Sequence, residues 1–228
     1  MLSRRQVLAA AAGFLVAGHG GAGAAAERHV VEDWKTASLG QQGIPPGWRA
    51  YETPGGHPRY DFAVVEDGGR RALRMRSESE HSTIARELTV DLASTPILTW
   101  SWKIVSFPAG ADLRERATSD ATGHLFVIWP RFPEMLRSRL IGYVWEPRAP
   151  ADAVFASKKT GTVTYVVVRS GTAGTGAWVD ERRDVAADYR RIYGDTPPNP
   201  PALALSIDTN DTRSRAESLV GALAFQAR

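Results

Sequence analysis

The chain has 228 residues, 43% of them hydrophobic and 23% charged, with seven tryptophans and no cysteine. That balance belongs to a globular protein and excludes a disordered or disulfide-stapled one. The net charge of +3 comes without the one-sided Lys/Arg stripe that a phosphate backbone requires, so nucleic acid is not expected as a partner.

Residues 1–26 read as a signal peptide. Ser3-Arg4-Arg5 forms a short basic start, residues 7–17 an apolar run, and Ala22-Gly23-Ala24-Ala25-Ala26 a small-residue tail, with cleavage expected after Ala24 or Ala26. The order Ser3-Arg4-Arg5-Gln6-Val7-Leu8 resembles a twin-arginine signal with Val7 where Phe is commoner. An ordinary secretory leader carrying two arginines is the competing reading. Without Arg4 and Arg5 the balance is 26 basic against 25 acidic side chains, or +1. The apolar run is too short to span a bilayer, and no later stretch reaches about 18 apolar residues. A mature chain with no transmembrane segment, periplasmic or secreted, is expected, with one domain over residues 27–228.

Beyond the leader, alternating and short apolar runs are separated by Gly, Pro, Asp and Asn clusters, which is the strand signature. Strands are expected at residues 29–34, 48–52, 60–66, 71–77, 82–91, 97–106, 123–130, 140–146, 162–170, 178–184, 202–208 and 219–226. A helical turn near 112–116 is a further expectation. Val185, Tyr189 and Ile192 recur at helical spacing, so one short helix is expected over 185–193, stopped by Gly194 and Pro197-Pro198. About twelve strands with so little helix give an all-β fold. Each sheet must hide one apolar face, which predicts a two-sheet antiparallel β-sandwich of the jelly-roll type.

Familiar catalytic signatures are missing: there is no Gly-x-Ser-x-Gly elbow, His-Glu-x-x-His, Walker loop or dinucleotide fingerprint. His29, His57, His81 and His124 have no ligand-like spacing, and His124 reads as a core or face histidine. The aromatic residues carry more information. Trp100 and Trp102 share one face of a strand, as do Tyr143 and Trp145, while Trp129 ends a strand and Trp178 begins one. Exposed rings of this kind stack on sugar faces, which makes Trp102, Trp129, Tyr143, Trp145 and Trp178 candidate ligand-binding residues. Arg131, Asp208 and Arg215 are the candidate charged hydrogen-bonding groups beside them. Filling of the sandwich core is the competing reading for each ring.

Asp208-Thr209-Asn210-Asp211-Thr212 offers alternating oxygens, with Asp208, Asn210 and Asp211 as candidate Ca²⁺ ligands. An Asx-rich turn is the competing and preferred reading, and no cofactor is expected. Acid/base work on a glycosidic bond needs two carboxylates across a cleft. Glu146, Glu181, Asp208 and Asp211 are the candidates, with solvated surface charge as the default.

A resemblance enters on five segments: Ile97-Leu98-Thr99-Trp100-Ser101-Trp102-Lys103, Ile141-Gly142-Tyr143-Val144-Trp145-Glu146, Trp178-Val179-Asp180-Glu181-Arg182-Arg183-Asp184-Val185, Asp188-Tyr189-Arg190-Arg191-Ile192-Tyr193-Gly194 and the Asp208–Thr212 motif. Together they resemble an uncharacterised family of exported bacterial proteins, domain of unknown function 3047. That resemblance implies a galactose-binding-like jelly roll and no activity. More distantly, Glu32-Asp33-Trp34 and Gly47-Trp48 resemble the opening of jelly-roll carbohydrate-binding modules. The final strand lacks their aspartate, so their structural calcium is not carried over. The leading expectation is an exported, non-catalytic module for a glycan, polyol-rich or small polar ligand. The alternatives are an envelope carbohydrate-active hydrolase or lyase and a protein-interaction module.

Overall fold

A computed structural model describes residues 28–51 and 57–228. The leader expected over 1–26, and residue 52 at the end of one expected strand, lie outside the described residues. Thirteen strands run through the described chain: β1 (Arg28–Glu32), β2 (Arg49–Ala50), β3 (Asp61–Asp67), β4 (Arg70–Glu78), β5 (His81–Glu87), β6 (Ile97–Ser106), β7 (Ala121–Trp129), β8 (Arg139–Glu146), β9 (Val154–Ala156), β10 (Val163–Ser170), β11 (Val179–Asp184), β12 (Ala202–Asp208) and β13 (Arg215–Gln226). The twelve expected strands are all present, and β9 is the addition. The expected turn near 112–116 is a 3-10 turn at Arg116–Thr118, and a four-residue helix, α1 (Glu134–Arg137), was not anticipated. Helix α2 (Val185–Tyr193) matches its expected span. The Asp184 side chain caps it by accepting from the Ala187 N–H at 2.8 Å, and Gly194 ends it at φ 79°, a left-handed turn that favours glycine.

The strands form a jelly-roll sandwich of two sheets. Sheet A runs β11-β6-β13-β4-β3, with β1 also paired to β13, and sheet B runs β2-β5-β12-β7-β8-β10-β9. Every pairing is antiparallel but one, β8 with β10. The parallel pair arises because three-residue β9 takes the sheet edge and β10 inserts between it and β8.

Period-two alternation aims one face of each sheet at the other. Leu98, Trp100, Trp102 and Ile104 of β6 meet Ile141, Tyr143 and Trp145 of β8 in one core. Trp100 stands edge-on to Trp102 with centroids 5.4 Å apart, and Trp102 lies 6.3 Å from Trp145. Here an expectation needs correction: Trp102, Trp129, Tyr143 and Trp145, proposed for a sugar-facing surface, are all between 0% and 2% exposed. Their shared faces were read correctly, but those faces look inward. Burying rings of this size contributes about 1.5–3 kcal/mol each, more than a ligand surface would return. Of the seven tryptophans, only Trp178 escapes the buried set.

In β13 the inward positions are Ala216 and Val220 and then Leu223 and Phe225. The phase changes because Val220 pairs Trp102 and Leu223 pairs Trp100, one extra residue against β6. The bulge frees the Gly221 carbonyl, which accepts the Trp34 indole N–H at 2.9 Å.

Candidate functional site

Sheet B is apolar on both faces. Its inward residues belong to the main core, while Ala85, Ile128, Leu140, Val163, Tyr165 and Ala204 form a second cluster on the outward side. Strand register arranges that outer face in rows. Ala202, Ile128, Leu140 and Val163 stand side by side, followed by Ala85, Ala204, Phe126, Gly142 and Tyr165. Next come Thr83, Ser206 and His124, and finally His81 beside Asp208. Polarity therefore rises along the strands, from aliphatic through aromatic and hydroxyl to charged. Over these rows lies a pocket of about 350 Å³, rimmed by Tyr51, Ser119, Ser157, Lys159 and Asn210.

Gly142 creates the floor. A Cβ there would stand 2.8 Å from Phe126 Cε1 and 3.0 Å from Tyr165 Cδ1. Its absence lets the two rings fold toward one another across β8. His124 stacks against both, 5.1 Å from Phe126 and 5.6 Å from Tyr165.

The pocket also holds polar atoms without partners. His124 is 4% exposed, and neither ring nitrogen makes a hydrogen bond of good geometry, the Ser206 backbone offering only a loose contact; Ser119 Oγ is likewise buried and unmatched. Burial holds the His124 imidazole down to about 3, helped by His81 and Lys159 and opposed only weakly by Asp120 and the Ser206 backbone. His81 is lowered by the same cause, with Lys159 adding to it and Glu80 opposing. Burial pushes the Asp208 carboxyl up to about 7, against the pull of Lys159 at 3.8 Å. Tyr165 is pushed up to about 12 by burial, with a Ser157 contact opposing. Thr83 donates to Ser206 Oγ at 2.7 Å, which fixes the hydroxyl row. Unmatched buried groups cost about 1–3 kcal/mol each, which singles this face out as a candidate site.

The remaining candidates from the sequence sit elsewhere or are engaged. Asp208, Asn210 and Asp211 all face the Lys159 ammonium, which contacts Asp211 and lies 3.4 Å from Asn210 Oδ1. A lysine thus stands where the calcium candidate would need its cation, and Asp208 Oδ1 accepts the Asn210 N–H as an Asx turn does. Among the described residues, no group of three acidic or histidine side chains converges as metal ligands. Glu146 is buried and accepts from the Leu113 and Arg148 N–H groups, with burial raising its pKa. Glu181 accepts from Trp102 and Arg169. The structure gathers Asp208 and Asp211 on one turn and leaves Glu146 and Glu181 tied to other partners.

Arg131 donates to the Tyr189 hydroxyl at 3.2 Å, and Arg215 pairs with Glu78 on the rim of a different depression. Trp178 donates to Asp67 at 2.7 Å, with Arg70 over its ring, on sheet A. Phe126, Gly142, Lys159 and Tyr165 were missed as site residues. Their signal was an apolar outward row next to an apolar inward one.

A larger depression, about 620 Å³, lies on sheet A and is lined by Arg28, Asp33, Lys35, Arg70 and Asp180 among others. Four of its charges are paired, Arg70 with Asp180 at 2.8 Å and Lys35 with Asp33 at 2.9 Å, and Trp100 Nε1 is its one buried polar atom without a partner among the described residues. The sheet B pocket sets more unmatched buried polar atoms, those of His124 and Ser119, beside an apolar floor, and it is the candidate site. Among the described residues, no helix is long and apolar enough to cross a membrane.

Three solved structures are similar at low identity. The family 11 carbohydrate-binding module of cellulosomal cellulase Lic26A-Cel5E of Clostridium thermocellum is 10% identical, covering 90% of this chain and 97% of that one, with a TM-score of 0.46. The mannan-recognising module TmCBM27 is 12% identical over 89% and 99%, with a TM-score of 0.39. The CBM22-1 xylan-binding domain of Paenibacillus barcinonensis Xyn10C is 13% identical over 90% and 99%, with a TM-score of 0.38. A search of curated proteins finds no match. The family model described as "Protein of unknown function (DUF3047)" matches residues 46–224, and the chain belongs to that family.

Proposed function

We propose that this protein is an exported, non-catalytic module that binds a glycan or polyol-rich ligand on the outer face of sheet B. The observation that carries the reading is the Phe126–His124–Tyr165 floor set beside unmatched polar atoms at His124 and Ser119. A sugar ring offers an apolar face for such a floor. Its hydroxyls both donate and accept, which suits a neutral imidazole with one donor and one acceptor nitrogen. Binding without catalysis is supported by Asp208 being the one carboxylate among the described lining residues, because glycosidic cleavage ordinarily takes two. Export is supported by the basic, apolar and small-residue order of residues 1–26.

The test is a glycan array and cell-envelope pull-down with the mature protein and its Tyr165→Ala variant. Retention of at least one saccharide by the wild type, weakened tenfold or more in the variant, is the expected result. Equal retention by both, or none by the wild type, removes the reading.

A further inference from the structure

The ordering of the pocket's rows goes beyond what a bare saccharide requires. The polar half comprises His81 and Asp208 with Thr83, Ser206 and His124, and Lys159 and Asn210 overhang it. The opposite half contains no polar side chain in its row: Ala202, Ile128, Leu140 and Val163. At about 3.4 Å per residue, the interval from Asp208 to Ala202 spans roughly 20 Å, enough for a sugar followed by several methylenes. Past the aliphatic row the chain leaves β7 into the 130–138 segment, which re-enters β8 at Arg139. There Phe132, Met135 and Leu136 are 87%, 80% and 79% exposed. Glu134 of the same segment is close enough to raise the Tyr51 phenol, a pocket residue whose pKa is raised chiefly by burial. Tyr51 itself stands beside Thr83, its N–H donating to the Thr83 carbonyl at 2.9 Å, so it is the run of β7 and β8 past Ile128 and Leu140 that sets the apolar segment next to the aliphatic end of the pocket.

We infer that the ligand is an amphiphile, a saccharide bearing a hydrocarbon chain, with its hydroxylated head at His81, His124 and Asp208 and its chain along Phe126, Ile128 and Leu140 toward the 130–138 segment. This rests on the glycan reading of the same pocket and adds a tail to it. A bare polysaccharide would leave the aliphatic row wet. A bare hydrocarbon would leave the His124 nitrogens and Ser119 Oγ buried without partners, which is costly.

Isothermal titration of the mature protein with methyl, hexyl and octyl β-glucosides, each below its micelle concentration, tests this. Octanol serves as the headless control and the glycan array as the tailless one. Affinity is expected to rise about fourfold for each methylene buried, so that four such methylenes give a gain of about 250-fold, with octanol far weaker. In Leu140→Thr, which keeps strand propensity, the slope with chain length should flatten, octyl glucoside losing at least tenfold more affinity than methyl glucoside. In Asp208→Asn all three glucosides should weaken alike and the slope should persist. Folding of both variants is verified by near-UV circular dichroism.

Methyl and octyl glucosides binding alike, or array glycans retained while no alkyl glucoside binds, overturns the amphiphile and leaves the glycan reading standing. Octanol binding as tightly as octyl glucoside overturns both, as does a complete absence of binding.

Discussion

On sheet A most of the outward charged residues of β4, β6 and β13 are matched: Arg70 to Asp180, Arg76 to Glu217, and Lys103 to Asp67, with Arg74 Nε the exception. On sheet B the outward residues of β7, β8 and β10 are aromatic and aliphatic, and the buried polar atoms among them lack partners. Both surfaces carry depressions, and the larger lies on sheet A. The first face finishes most of its bonds within the chain. The other face leaves bonds and apolar area open. What separates the two is chemical incompleteness, and the variants below are chosen to act on one face at a time.

The largest effect should come from the core beneath both faces. Trp102→Ala is expected to lower unfolding free energy by about 3–5 kcal/mol in urea titration. It should do so without selective loss of ligand affinity in the fraction that remains folded. A loss below about 1 kcal/mol would mean that Trp102 is not a shared support.

Titration should act next, on sheet B alone. Asp208 titrates near 3.8 in an unfolded chain and at about 7 when folded. The unfolded state then binds fewer protons between those values, and stability falls as pH rises from about 4 to 7. His124 runs the opposite way, from 6.5 unfolded to about 3 folded, so stability falls as pH drops through that interval. His81, also lowered, adds to the acid limb. Wild type shows the two slopes partly cancelled. Asp208→Asn should leave stability rising with pH between about 4 and 6.5, and His124→Phe should leave it falling from about 4 to 7. Each difference is on the order of 2–4 kcal/mol, read from thermal melts across pH. Variant curves parallel to wild type would contradict the burial of both groups.

Gly142→Ala acts on the floor alone. Overpacking against Phe126 and Tyr165 should cost about 1–3 kcal/mol. Ligand affinity should drop tenfold or more because the rings must swing out over the pocket. Unchanged affinity would show that the floor is not the contact surface.

The smallest effect belongs to sheet A. Arg76→Ala should change stability by less than about 1 kcal/mol, the difference should shrink further in salt, and binding should be untouched. A binding defect there would break the division between faces.

Much of the architecture was legible in the sequence, because turn residues and period-two runs mark where strands stop and which side chains travel together. β9 was not legible: three residues at a sheet edge carry no periodicity. The four residues of α1 are too few to show a helical repeat. The site was hidden for a different reason. Alternation reveals that Tyr143 and Trp145 share a side, and that His124 shares one with Phe126. It does not reveal which side meets water when both are apolar, as along Leu125-Phe126-Val127-Ile128-Trp129. The indoles drew attention by their size, yet it is Gly142, a residue with no side chain, that shapes the floor. That becomes visible only once β7 and β10 are placed on either side of it.

Strand β13 holds β6 along one edge and both β4 and β1 along the other. All three of those neighbours precede it in the chain, β1 by nearly the whole described length. During synthesis they must wait, with hydrogen-bonding edges uncovered, until residue 226 has cleared the ribosome. Half of the sandwich therefore assembles only after translation has passed that point. A growing chain in this condition is open to edge-to-edge association with its copies.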